Sequence, residues 1–171
     1  MRFPIRKIAL LGIFSSIGII TGYIESLLVL PVSIPGVKIG ISNCITIILL
    51  YLLGPWEALF VLMIRVVLSG ALFGSLFSIL YSLSGALVSY IIMRILYKCD
   101  KLSVYGVSAI GGVFHNIGQL LMAVILVSSI DILYYLPILI LAGLIAGVIV
   151  GLVSAFVMKR IRLMFIKGDI L

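Results

Sequence analysis

The chain has 171 residues, 64% of them hydrophobic and 10% charged, and its mean hydropathy is +1.46. Such values exclude water as its main solvent. A helix needs about 20 apolar residues to cross a hydrocarbon core of roughly 30 Å, so the length allows about six or seven crossings and leaves nothing for a soluble catalytic domain. The net charge of +7 is not a nucleic-acid signature, because the basic residues sit at the ends of apolar runs, where membrane proteins place them.

In chain order, Arg2, Arg6 and Lys7 precede an apolar run that reaches about Leu30. It ends without a small-x-small cleavage pattern, so it reads as a retained first helix and not as a signal peptide. Apolar segments near 8–29, 40–53, 57–73, 75–97, 104–129 and 135–158 predict an all-α, six-helix transmembrane bundle forming one domain over 1–171. Between the first two segments, Pro31, Pro35, Gly36 and Gly40 interrupt the helical pattern and predict a loop folded over the bundle. Cys44 and Cys99 fall near opposite membrane faces, which predicts no disulfide, and neither they nor the single histidine compose a metal or cofactor site.

With six crossings, ten of the twelve Lys and Arg residues fall on one face: Arg2, Arg6, Lys7, Arg94, Lys98, Lys101, Lys159, Arg160, Arg162 and Lys167. The opposite face holds Lys38, and Arg65 lies within a span. This asymmetry predicts cytoplasmic termini in a multi-pass protein of a bacterial-type cell membrane. Gly143, Gly147 and Gly151 recur at helical spacing in the last helix and predict close packing between helices. A similar stripe on the first helix, Ala9, Gly12 and Ser16, is read either as internal packing or as a docking face for a separate membrane subunit.

Polar groups inside spans are costly in lipid, so each is a candidate for function. They are Glu25 near the outer end of the first helix, Lys38 in the outer loop, Asn43 at the start of the second helix, Arg65 with Ser69 one turn later, and His115, Asn116 and Gln119 on the fifth. Tyr81 joins them as a flanking aromatic. By depth these groups fill the middle and outer half, above an apolar inner half, which predicts a cavity open to the outside. The excess of Lys38 and Arg65 over Glu25 favours an anionic ligand. Structural alternatives stay open: Glu25 and Arg65 neutralising each other, Asn43 capping the second helix, His115 as an interhelical hydrogen-bonder, and Lys38 as an interfacial lysine.

Absences narrow the chemistry. Magnesium-dependent prenyl transfer uses clustered carboxylates, whereas Asp100, Asp131 and Asp169 are isolated from one another; nor is there a Walker A loop, an HExxH or a GxSxG motif. The chain is therefore not expected to be an enzyme or to carry a cofactor.

The polar stretches, Glu25-Ser26, Val37-Lys38-Ile39-Gly40-Ile41-Ser42-Asn43, Arg65 to Gly70, Ser82 to Ala86 and Gly111 to Gln119, resemble in order those of the Gx transporter family, often labelled heptaprenyl diphosphate synthase component I. That family looks related to the S components of energy-coupling factor (ECF) importers. The resemblance implies a substrate-binding membrane subunit for a small, anionic and partly apolar solute such as an isoprenoid or quinone precursor. It also implies partners, a transmembrane T subunit and two ATPases, docked through small residues of the first helix; there Ile13 stands four residues after Ala9, where an Ala-x-x-x-Ala pattern has a second alanine. The family label implies the alternative, a non-catalytic component that anchors a polyprenyl diphosphate synthase to the membrane.

Overall fold

The computed structural model describes residues 5–27 and 40–166. Six α-helices follow in order: α1 (Ile5–Leu27), α2 (Asn43–Leu52), α3 (Pro55–Phe73), α4 (Leu76–Cys99), α5 (Val104–Val127) and α6 (Leu136–Ile166), with one 3₁₀ turn (Ile130–Tyr135) leading into α6. No strand occurs among the described residues. Five of the helices are long and apolar enough to cross a membrane, α6 together with its 3₁₀ turn. One difference from the sequence reading has a plain cause. The last helix runs to Ile166 instead of stopping near 158, because Lys159, Arg160 and Arg162 end the apolar span without ending the helix. The expected loop over the bundle, with Lys38 in it, lies outside the described residues.

The second helix has 10 residues, so at 1.5 Å per residue it rises only about 15 Å, half the thickness of a hydrocarbon core. Its sequence is apolar all the way round, and every residue from Cys44 to Leu50 is buried. Such a helix has no lipid-facing side and belongs inside a bundle. It packs against α3 and α6. A tight turn at Gly54, whose φ of +118° suits glycine, leads straight into Pro55 at the start of α3. Thus α2 descends from mid-bundle to one end, and α3 climbs back from there.

Residue pairings fix the helix directions. Lys7 pairs with Glu57, Gly18 lies against Arg65 and Gly22 against Ser69, so α1 and α3 run parallel. Neighbouring helices α3–α4, α4–α5 and α5–α6 run antiparallel, as the contacts of Gly70 with Ile79, Ser84 with Gly118 and Ser108 with Gly147 require. Consequently the described beginning of α1 and the end of α6 lie at the same end of the bundle. That end carries Arg6, Lys7, Arg94, Lys98, Lys101, Lys159, Arg160 and Arg162. Here it is called the basic end.

Small residues let helix backbones touch, and serine hydroxyls then tie them. The α5–α6 seam brings Gly112 against Gly143 and Gly147, and Ser108 donates to the Gly147 carbonyl at 2.5 Å. Across the α4–α5 seam, Ser84 donates to Gly118 O (2.8 Å) and Ser89 to Gly111 O (2.7 Å). Dispersion and such hydrogen bonds drive helix association in lipid, where burial of apolar surface between helices gains little. The glycine spacing of the last helix is therefore internal packing. The first helix differs: it is the least buried of the long helices, and it leaves Ala9, Gly12 and Ser16 exposed.

Two glycine substitutions should separate these environments. A Cβ on Gly112 would stand 2.3 Å from the Gly143 carbonyl oxygen, whereas one on Gly12 meets nothing within 4 Å. Gly112→Ala should therefore destabilise by about 1–3 kcal/mol or more through overpacking. Gly12→Ala should be neutral or slightly stabilising, since alanine is the better helix former. Thermal unfolding of the two purified variants checks the contrast.

Candidate functional site

The short second helix puts its amino end in the middle of the bundle, where the turn carbonyls of Gly40 and Ile41 take the Asn43 and Cys44 N–H groups and the Ile41 and Ser42 N–H groups need other acceptors. Ser42 occupies the cap position but makes no side-chain cap. Instead a carboxylate from another helix does the work: Glu25 Oε1 accepts from the Ile41 N–H (2.8 Å) and Oε2 from the Ser42 N–H (3.2 Å). An anion at a helix amino end is favoured by both the hydrogen bonds and the dipole. Asn43 does not cap α2, as the sequence allowed. Its Oδ1 accepts from an Arg65 terminal nitrogen at 3.2 Å.

Arg65, midway along α3, is buried, with 6% of its surface exposed. Its aliphatic stem lies against Gly18 of α1, where a Cβ would stand 2.8 Å from Arg65 Cδ. Glu25 and Arg65 do not neutralise each other directly: the ion pair found among the described residues, within 4 Å, is Lys7–Glu57 at the basic end. The guanidinium is thus oriented by a neutral amide, and its Nε has no hydrogen-bond partner. Neither has the Ser69 hydroxyl one turn later, nor the Gln119 side chain at either amide atom, although Gln119 is only 1% exposed.

These groups face one cavity of about 140 Å³. α1 contributes Gly22 and Glu25 to its wall, and the start of α2 contributes Ser42, Asn43 and Ile47. Arg65, Ser69 and Phe73 come from α3, and His115, Asn116 and Gln119 from α5. The lining extends to Gly74, which is exposed in the α3–α4 turn at the end opposite the basic one.

Seven of the nine expected binding residues thus line one space: Glu25, Asn43, Arg65, Ser69, His115, Asn116 and Gln119. Of the other two, Tyr81 is half-buried on α4 outside the lining, and Lys38 lies outside the described residues. Asn116 also has a structural task, donating from Nδ2 to the Leu139 carbonyl of α6 at 2.8 Å. The sequence reading missed the α4 wall, Ser78, Ser82, Ala86, Ser89 and Met93. Its signal was available: small and polar residues recur there every three or four positions, the spacing of one helix face.

Among the described residues no group of three His, Cys, Asp or Glu residues gathers to hold a metal ion. A buried guanidinium, a hydroxyl and an amide around a small polar space recognise oxygen atoms.

Fold and site together define the class: a polytopic helical membrane protein with a polar cavity inside its bundle. Residues 14–157 match the family model described as heptaprenyl diphosphate synthase component I, and the chain belongs to that family. A component of a synthase works beside a partner, in agreement with the reading that this chain is not itself the enzyme. No curated protein and no solved structure matches the chain.

Replacing the helix-capping carboxylate should loosen the site. Glu25→Gln keeps the size but removes the charge and one of the two acceptors, so about 1–3 kcal/mol of stability should be lost. Denaturant unfolding of the purified variant measures the loss, and hydrogen exchange should localise it to residues 41–44.

Proposed function

We propose that the protein is the membrane-embedded, non-catalytic component of a polyprenyl diphosphate synthase, holding a soluble catalytic partner at the inner surface of the plasma membrane. The observation that carries this reading is the family match over residues 14–157. Physical reasoning supports it. A polyprenyl diphosphate has a charged head and a long apolar chain, so synthesis at a membrane surface lets the growing tail pass into lipid without crossing water. The basic end suits such docking, because Lys98, Lys101, Lys159, Arg160 and Arg162 are exposed there and attract an acidic protein surface or anionic lipid. By the positive-inside rule, that end faces the cytoplasm.

A second reading, a solute-binding importer subunit energised by a T subunit and two ATPases, is favoured by one feature. The cavity lies inside the bundle and reaches toward the end away from the basic rim, where a purely anchoring subunit needs no cavity. In this reading the exposed Ala9, Gly12 and Ser16 face of α1 contacts the T subunit.

The triple variant Lys159→Glu, Arg160→Glu, Arg162→Glu tests the first reading against the second. Prenyl diphosphate synthesis in the membrane fraction should fall about tenfold or more while the membrane protein itself stays folded and inserted. Unchanged membrane-bound synthesis, together with co-purifying ATPases, would instead support the importer.

A further inference from the structure

The cavity raises a question of charge that neither partner answers. Arg65 is a cation at mid-bundle depth, 6% exposed, with no carboxylate within 4 Å among the described residues. Its one side-chain partner, Asn43, is neutral. An ion buried this way is strongly disfavoured unless something supplies the opposite charge. Glu25 is the nearby acid, but both of its oxygens are engaged by the Ile41 and Ser42 N–H groups at the amino end of α2. That helix end carries a partial positive charge of roughly half a unit. Glu25, Arg65 and the helix end together therefore leave the site with a small positive excess.

The hydrogen-bonding account of the same space is also open. Arg65 Nε and the Ser69 hydroxyl can donate to an oxygen, and they lie one turn apart on the same face of α3. Gln119 offers both a donor and an acceptor, and neither has a protein partner. Water can satisfy hydroxyl and amide groups, but it does not neutralise a guanidinium. An oxyanion does both, and a neighbouring O–H or N–H on the same molecule completes Gln119.

We propose that this cavity binds a compact ligand with a single negative charge, a carboxylate, whose oxygens are taken by Arg65 and Ser69 while a hydrogen-bond donor on the ligand meets Gln119. Two magnitudes select this class. The positive excess is roughly half a charge, so one anionic charge leaves the site within about half a charge of neutrality, whereas a diphosphate, with two or three, would leave well over one negative charge buried and uncompensated. The space, about 140 Å³, is well below the roughly 300–1,000 Å³ of sites that enclose drug-sized molecules, so the part of a ligand held beside Arg65 is a small ring or short chain. The site stands on the cavity alone and goes beyond the anchoring role, which it neither needs nor contradicts.

The test uses the full-length protein in lipid nanodiscs and three probes: 4-hydroxybenzoate, its neutral methyl ester, and inorganic diphosphate. The acid should raise the thermal midpoint saturably, and the ester and diphosphate should not. Arg65→Gln should weaken binding of the acid by more than tenfold, the loss expected when a charge-assisted contact is removed. Ser69→Asp keeps the proposal falsifiable without any ligand. It places a carboxylate one turn from Arg65, so it should raise the midpoint of the unliganded protein and abolish the response to the acid. Stabilisation by diphosphate in place of the acid, equal response to acid and ester, or a Ser69→Asp protein less stable than the parent and still responsive to the acid would overturn the proposal. Diphosphate binding would overturn it while strengthening the synthase reading, and loss of synthase recruitment in the basic-end variant would leave it untouched.

Discussion

A helix that begins in the middle of a membrane protein must have its first N–H groups satisfied by protein, because lipid offers no acceptor. Here the Gly40 and Ile41 carbonyls take the Asn43 and Cys44 N–H groups, and one carboxylate takes the two N–H groups just before them. Glu25 reaches from α1 to the Ile41 and Ser42 N–H groups and fixes where α2 starts. With α2 starting at that depth, Asn43 stands level with Arg65 and orients it. The cavity lies beside this helix start, with Gly40, Ser42 and Asn43 in its lining. Removing this one contact would unsettle the helix start, the arginine and the cavity wall together.

The first helix gains importance from the same arrangement. It is the most exposed of the long helices and packs chiefly on α3, yet its Gly18, Gly22 and Glu25 cover Arg65, Ser69 and the start of α2. Glycine at the first two positions is what allows so close an approach, since a Cβ at either would press on the arginine stem or the serine hydroxyl. Helices α4, α5 and α6 are joined by seams of glycine and serine. Ser154 extends this tying to the core by donating to Cys44 O at 3.4 Å, linking α6 to α2. The cavity groups of α3 and α5 are thus covered on one side by the most exposed of the long helices.

Much of this was legible in the sequence because membrane solvent imposes strong rules. Apolar runs marked the helices, and the grouping of Lys and Arg marked a single end of the bundle. Polar residues within spans pointed to the cavity, and Glu25, Arg65, His115 and Gln119 do line it. What sequence could not convey is which polar groups satisfy one another. Asn43 and Arg65 are separated by a turn and parts of two helices, and Asn116 meets a carbonyl on the following helix, so their partners follow from packing and not from spacing. Tyr81 was grouped with the site by its character, but the α4 face that lines the cavity is the one carrying Ser78 and Ser82. The half-length of α2 was visible only as a short segment; its burial on every side came with the fold.

The central claim is that a polar, solvent-reachable cavity penetrates to the middle of this bundle. Cysteine accessibility tests it most directly, in a background with Cys44→Ser and Cys99→Ser, using a small water-soluble methanethiosulfonate reagent. A cysteine replacing Ser82 on the cavity wall should react many times faster than one replacing Ile91, which is exposed on the outer surface of the same helix where lipid excludes the reagent. Equal inertness of the two positions would contradict the account.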